Sequence, residues 1–494
     1  MKRFLVFLSA AVLILSGTVL ATVAVGSGPQ NGGAAEKEGA SGERDQKISK
    51  EFFSGLGGGN ILSHAIGAAK SSESSPGLLM DLSLERAIEL ACETHLLTRL
   101  AEEGIAGARG KEWQAASALL PHIGAESYLR RVGKENLKAM GFKSGGMIGP
   151  FTVFDARFRM TQKLLDLSDL SSFQASQIGV RIAKHESDFA MQKVIFLASL
   201  AYLEALRAQS ELKAAEADVE LAQRLFAQAE RQQGVGIATG VDVARAETRV
   251  AQETLRAEKA KTDVHDALIS LQRVTGVPYE TTLRLKDSLL YVEEPARDTE
   301  ESASAAEENR IEMQIARERV RMAWYQLNGT RFESLPEIDF TGDVGLKGLG
   351  MDESARLVGE AMFLIRMPLF ESGQISGAIK EARSAHKQQE ITYEDLKRQV
   401  AEDVHMALWA LETGVAQVRA SAKVYELAGR ELQLAENRFK QGVGDNVEVL
   451  NAQTALANAR DAYISALNDY HCSRMNLYFS LGEAESFRLQ KAEI

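Results

Sequence analysis

Two stretches of this chain alternate apolar and polar positions with a helical period sustained far beyond a globular helix. Residues 168–233 and 377–441 are each roughly 65 residues rich in Ala, Glu, Gln, Leu, Lys and Arg, without a proline. The eight prolines fall at 29, 76, 121, 150, 278, 295, 336 and 368. A proline inside a helix costs about 3 kcal/mol, so these gaps are where very long helices are allowed. At 1.5 Å rise per residue each would span ~100 Å. In the first stretch Leu212, Ala215, Val219, Ala222, Phe226 and Ala229 step by three and four; Val404, Leu408, Leu411, Val415, Val418, Ala422 and Tyr425 do the same in the second. Such steps turn one stripe toward a partner helix and supercoil the pair. Alanines in the seam let backbones approach closely, as a wall of several helices requires; a solitary two-stranded spacer fits the same steps.

The long helices end in matching turns, about 206 residues apart. The first runs Gln233-Gly234-Val235-Gly236-Ile237-Ala238-Thr239-Gly240-Val241-Asp242-Val243-Ala244. The second runs Gln441-Gly442-Val443-Gly444-Asp445-Asn446-Val447-Glu448-Val449-Leu450-Asn451-Ala452. Glycine here supplies the positive φ of a helix C-cap. Asp242 and Glu448 then fall in the first turn of the next helix, where the macrodipole favours an acid. Each half is a long helix, a tight turn and a returning helix about half as long, ending near Gly276 and Gly482. Gln162-Lys163-Leu164-Leu165-Asp166 and Met367-Pro368-Leu369-Phe370-Glu371 also match, with Lys163 set on Pro368. Repetition of a whole unit indicates a tandem duplication.

Before each long helix the period changes to two. Thr152, Phe154, Ala156, Phe158 and Met160 alternate with Val153, Asp155, Arg157, Arg159 and Thr161. Ile338, Phe340, Gly342, Val344 and Leu346 alternate with Asp339, Thr341, Asp343, Gly345 and Lys347. Weaker alternation runs through residues 122–130, and residues 357–370 make a fourth segment. Segments of about ten residues with this period suit transmembrane strands, apolar toward lipid and polar toward a lumen. An ordinary half-buried soluble hairpin fits equally. Four strands cannot close a membrane barrel, because the smallest have eight, so the membrane reading requires several copies of the chain.

Order is expected to begin at Asp81, with Ser83 as N-cap of a helix running to about Leu120 and stopped by Pro121. Upstream, residues 25–80 are rich in Gly, Ser and Glu and bury no core. Met1-Lys2-Arg3, an apolar run to about Val25 and small residues near Ala21 and Ala24 read as a secretory signal over residues 1–24; an uncleaved anchor is the other reading. Beyond it no apolar run reaches the ~18–20 residues of a spanning helix, which excludes a polytopic helical membrane protein. A net charge of −11 argues against nucleic acid as a partner. Cys92 and Cys472, the only cysteines, make neither a zinc site nor a disulfide framework; whether they pair is open. The eight histidines are scattered, with no His-Glu-x-x-His pattern, and no Gly-x-Ser-x-Gly elbow occurs. No catalytic residue, metal ligand or cofactor site is expected, and Asp155, Arg157, Arg159, Asp339 and Asp343 fit a pore lining better than a catalytic set.

Several features together resemble the TolC-type outer-membrane efflux family, over roughly residues 81–482. They are the Leu82-Ser83-Leu84-Glu85-Arg86-Ala87-Ile88 opening, the Leu119-Leu120-Pro121-His122-Ile123 helix-to-strand step, Pro368-Leu369-Phe370-Glu371-Ser372-Gly373 and the two turns. The resemblance implies a mainly α fold with a small β portion. Duplicated coiled-coil hairpins would form a periplasmic tunnel, and four strands per subunit would build a 12-stranded outer-membrane barrel in a homotrimer. Residues 81–277 and 307–482 would be the two repeats, 278–306 a linker and 483–494 a tail.

The resemblance also implies an exit duct for tripartite efflux or type I secretion, working with a periplasmic adaptor, an inner-membrane pump or ABC transporter, and outer-membrane lipid. In such a duct Glu448 and Asn451 would ring the periplasmic aperture, Asn451 bringing no charge where the family has an acid, and Asp445 would add charge from the turn. The alternative for Glu448 is a helix N-terminal acid and nothing more, and for Asp445 a solvated turn acid. Gly234, Val235, Gly236, Gly240, Val241, Asp242, Gly442, Val443, Gly444 and Val447 would form adaptor-docking turns. The rival readings are a periplasmic hairpin adaptor, against which the duplication argues, and a structural spacer without a pore.

Overall fold

The computed structural model describes residues 79–136, 146–236, 238–349, 354–441, 443 and 446–489. The expected export signal, nearly all of residues 25–80, and Gly442, Gly444 and Asp445 lie outside the described residues.

Among the described residues the duplication extends through every element except a small strand pair of the first half. The first half contains β1 (Leu79–Leu82), α1 (Leu84–Thr94), α2 (Leu96–Ser117), β2 (His122–Val132), a small pair β3 (Glu135–Asn136) and β4 (Met147–Ile148), and β5 (Phe151–Leu165). Then come α3 (Leu167–Gly234) and α4 (Gly240–Thr275). The second half contains β6 (Thr282–Leu285), α5 (Thr299–Asn309), α6 (Ile311–Phe332), β7 (Glu337–Gly348), β8 (Arg356–Arg366), α7 (Gln374–Lys440) and α8 (Asn446–Ser480). The long helices have 68 and 67 residues and the returning ones 36 and 35, close to the lengths read from the periodicity. Seam residues Ala215, Ala222, Ala229, Val404, Leu411 and Val418 are buried. By length and composition a window of α3 is apolar enough to span a membrane although no continuous apolar run marks it, and half of that window is buried inside the fold.

The helix expected from Leu84 to Leu120 is instead two helices, broken at His95. His95 is extended (φ −66°, ψ 140°), and its Nδ1 accepts the Leu97 N–H at 3.2 Å, capping α2. Arg310 makes the same break between α5 and α6 (φ −64°, ψ 130°). The returning helices explain both. Gly276 (φ 70°) and Gly482 (φ 77°) follow α4 and α8 in the left-handed conformation. A Cβ at Gly276 would lie 2.4 Å from Thr94 Oγ1, and one at Gly482 3.3 Å from Asn309 and Arg310 backbone. Each returning helix thus ends against the break in a short helix, so two helices stacked end to end match one long helix.

Three further differences concern the β structure and the linker. The described residues begin at Leu79, where β1 pairs in parallel with β6, inside the segment read as a linker. The fourth alternating segment forms a strand only to Arg366, since Pro368 has no N–H for a ladder. And the strap after β6 is tightly held: Leu84 N donates to Asp287 Oδ2 at 2.8 Å, and the buried Tyr202 hydroxyl lies 2.8 Å from the same oxygen. Burial is the main reason the Tyr202 phenol sits well above its ordinary pKa, with the Asp287 carboxylate adding to it.

His471 on α8 ties the same strap down. It is fully buried, with Nε2 2.9 Å from Leu290 O and Nδ1 3.2 Å from Arg474, whose Nε donates to Glu294 at 2.6 Å. Arg474 can only donate, so Nδ1 accepts and the proton resides on Nε2. Burial, reinforced by the Arg474 charge, lowers the imidazole pKa to about 4. An unfolded chain takes up that proton near 6.5, so stability from the neutral ring is complete above pH 6.5 and is lost as pH falls toward 4. The expected loss is about 3 kcal/mol across that window. A pH series of thermal denaturation should show a His471→Gln variant with a shallower acid limb; an unchanged limb would remove His471 as its cause.

Candidate functional site

The four-stranded antiparallel sheet has the order β2-β5-β7-β8. Its register aligns the alternation of all four strands. Ala125 pairs with Phe158, Phe158 with Val344 and Val344 with Gly359; Ile123 pairs with Met160, and Phe340 with Phe363. On the other face Tyr128 pairs with Asp155, Asp155 with Lys347 and Lys347 with Arg356; Arg159 pairs with Asp343 and Asp343 with Glu360. One face is therefore apolar across the sheet, with Ile123, Phe158, Phe363 and Ile365 exposed. The opposite face is charged. A soluble hairpin buries its apolar face, whereas this one is bare on the single chain.

All five strand residues read as pore-lining lie on the charged face, but several are held in pairs. Asp155 is buried, accepting from Arg157 Nε at 2.6 Å and Tyr128 Oη at 3.2 Å. Arg157 Nη1 reaches Asp343 at 2.8 Å, Arg159 pairs with Glu126 at 3.3 Å, and Asp339 pairs with Arg366. Alternation locates these charges; only the register shows which neutralise each other.

At the far end of the long helices the first turn has Gly234 as the last residue of α3, an exposed Val235, and Gly236 at φ 79°. Gly240 opens α4 and the exposed Val241 follows. Thr239 and Asp242 form a capping box: the Thr239 N–H donates to Asp242 Oδ2 at 2.9 Å, and Asp242 N donates to Thr239 Oγ1 at 3.3 Å. Hydrogen bonds from Thr239, side chain before backbone, hold the Asp242 carboxyl below its ordinary pKa. The Thr-x-x-Asp spacing carries that signal in the sequence. In the second turn Val443 is exposed, Val447 and Glu448 open α8, and Asn451 is exposed one turn on. Asn446 Nδ2 donates to Asp242 O at 3.0 Å, joining the two turns.

Glu448 is not a bare acid. Arg438, in the last turn of α7, donates to its Oε1 at 3.0 Å. The Glu448 carboxylate therefore has a counter-charge within its own chain. The periodicity holds no sign of it, because the two residues meet only across the turn.

Above the turns a charge network joins three helices. Asp218 of α3 is buried between Arg460 of α8 at 2.8 Å and Arg256 of α4 at 3.3 Å, and Arg256 also pairs with Asp461. Arg249 pairs with the buried Glu253 at 2.6 Å. Burial, partly offset by the two arginines, raises the Asp218 pKa.

A profile of the outer membrane efflux protein family matches residues 101–277 and 303–483. The outer membrane protein TolC of Escherichia coli is 22% identical over 392 residues, which cover 75% of this chain and 76% of TolC. The alkaline protease secretion protein AprF of Pseudomonas aeruginosa is 23% identical over 337 residues, 67% of this chain and 70% of AprF. Among solved structures the fold matches the Vibrio cholerae outer membrane protein VceC, with a TM-score of 0.70 at 17% identity. That match covers 81% of this chain and 96% of VceC. The Campylobacter jejuni CmeC outer membrane channel matches with a TM-score of 0.70 at 18% identity, over 83% of this chain and 87% of CmeC. The bare apolar sheet face, the duplicated ~100 Å hairpins and these matches lead to one conclusion: the chain belongs to the outer membrane efflux protein family, as an outer-membrane channel for efflux or secretion with a long periplasmic helical portion.

Proposed function

We propose that three copies of this chain close a 12-stranded barrel and a helical tunnel, and that the duct passes substrate without chemistry of its own. Channels of this family work as trimers with a periplasmic adaptor and an inner-membrane pump. The observation that carries the reading is the pair of open edges. Within the chain α2 packs on α3, α3 on α6 and α6 on α7; toward the tips α4 packs on α3, α3 on α8 and α8 on α7. One edge is therefore β2, α2 and α4, and the other is β8 and α7. Both helical edges expose apolar stripes: Leu96, Leu100, Trp113 and Leu255 on one, Met406, Trp409, Val424, Leu427 and Leu434 on the other. Strand β2 leaves the helices and β8 returns to them, so β8 of one copy pairs antiparallel with β2 of the next. Closure satisfies both strand edges, which a lone sheet leaves unpaired.

In this reading Asp155, Arg157, Arg159, Asp339 and Asp343 line the barrel. The turns around Gly234, Val235, Gly236, Gly240, Val241, Asp242, Gly442, Val443, Gly444 and Val447 receive the adaptor. Glu448 and Asn451, with Asp445, surround the periplasmic aperture, and energy and substrate choice come from an inner-membrane pump or ABC transporter.

The test is single-channel recording in a planar bilayer under a KCl gradient, beside a native mass measurement. Discrete steps from a species of three chain masses are expected. A monomer without conductance, even with its tip clipped, would sink the duct. Because Arg438 offsets Glu448, the wild-type aperture should prefer cations only weakly. Arg438→Gln should raise the cation-to-anion permeability ratio severalfold and Glu448→Gln should turn it toward anions, through the charge each leaves behind. Unchanged reversal potentials in both would remove the pair from the aperture.

A further inference from the structure

We propose that the two connections leading from the sheet into the long helices form an apolar collar that contacts phospholipid in the periplasmic leaflet of the membrane. Leu164 and Leu165 form it in the first repeat, Leu369 and Phe370 in the second. The inference rests on the channel reading above and adds a specific lipid-contact site to it.

Leu369 and Phe370 are 88% and 86% exposed, more than any other large apolar side chain among the described residues. They follow β8 after Met367 and Pro368, and the apolar face of that strand ends in the exposed Phe363 and Ile365. The collar is continuous with the face turned to lipid. In the first repeat a β-bulge interrupts the register between Lys163 and Leu165, so that Lys163 pairs with Asp339 but Leu165 with Ile338. Ile338 in turn pairs with Ile365 on the apolar face. The bulge therefore brings Leu165 to the side where Leu164 already lies. Without it, strict alternation would turn Leu165 toward the charges. Lys163 stays on the charged side, bound to Asp166 at 2.8 Å and Asp169 at 2.6 Å. A boundary with apolar groups outward and charges inward suits the edge of a bilayer.

The duplication also shows what remains uncovered once copies assemble. Beside Leu164 and Leu165 runs β7 of the same chain; in a closed barrel the next copy's β2 takes that place beside Leu369 and Phe370. With their neighbour present, Leu164 and Leu165 are still 48% and 42% exposed. A second copy would therefore half-cover Leu369 and Phe370, not enclose them. The second connection is also longer. Asp166 caps α3 immediately, whereas Ser372 (φ 50°) and Gly373 (φ 95°), both left-handed, intervene before α7 and leave Phe370 projecting.

The test places a nitroxide at Phe370→Cys, and separately at Leu164→Cys, in full-length protein reconstituted in phospholipid vesicles. Cys92 and Cys472 are replaced by Ala, and Phe158→Cys serves as the mid-face reference. Collisions with oxygen report lipid, and collisions with a water-soluble nickel chelate report water. High oxygen and low nickel accessibility at 370 and 164, as at 158, is the expected result. High nickel accessibility at 370 with a lipid signal at 158 would overturn the collar alone. Low accessibility to both reagents at 370 would overturn it in favour of burial by a neighbouring copy. A water signal at 158 would bring down the membrane reading itself.

Discussion

Gly345→Val is expected to abolish the assembled channel, seen as loss of the trimer and of the outer-membrane fraction. A Cβ at this position would lie 2.1 Å from Ala156 O and 2.6 Å from Arg157 Cα, both backbone atoms of the adjacent strand. It would also lie 2.8 Å from Arg157 Cγ, because that side chain passes over Gly345 to reach Asp343. Valine must therefore push β7 from β5 in the middle of the sheet and displace Arg157 from two carboxylates. Backbone separation with stranded charges belongs to the rare class of substitutions that cost more than ~4–5 kcal/mol. Gly124→Ala is the control: on β2 a Cβ there meets nothing within 4 Å, and the variant should assemble normally. Normal assembly of Gly345→Val would show that β5 and β7 do not approach as described.

Arg460→Met should lower stability at neutral pH by about 3–5 kcal/mol, the usual cost of removing one partner from a buried ion pair. Arg460 donates to Asp218 at 2.8 Å and to Ala214 O at 3.1 Å, and lies over the Tyr425 ring at 5.9 Å. Methionine keeps most of the packing and leaves Asp218 with Arg256 alone. Burial already raises the Asp218 pKa, and loss of Arg460 raises it further. A carboxyl with a raised folded-state pKa binds its proton more readily folded than unfolded. The deficit should therefore be largest at neutral pH and shrink as pH falls through that pKa. Adding Asp218→Leu should recover part of the loss, because no buried charge is then left unpaired. Thermal denaturation at two pH values decides the matter: a deficit independent of pH would assign the effect to packing.

The network and the tip pair sit at different levels of the same hairpins. Asp218, Arg256 and Arg460 bind α8 to α3 and α4 above the turns. Below them the hairpins are joined by Asn446 on Asp242, Gln232 on Phe439 and an apolar cluster in which Leu225 packs with Leu432, Phe439 and Val449.

What the sequence determined by itself is what depends on neighbours along the chain. Proline placement and three-four spacing located both long helices, the glycine turns located their ends, and period-two runs located β2, β5, β7 and β8. Repetition of these local signals exposed the duplication. The tertiary structure alone decided what depends on residues far apart. The break at His95 exists because Gly276 arrives against Thr94 from the end of α4, which no local propensity encodes. β1 and β6 pair across a separation of about 200 residues, and each is too short to read as a strand alone. The tip charges were legible one at a time; that Arg438 neutralises Glu448, or that Arg157 ties Asp155 to Asp343, follows from side chains meeting across a turn or between strands. Periodicity records which face a residue occupies. Its partner on that face is set by register and packing, and those exist only once the chain is folded.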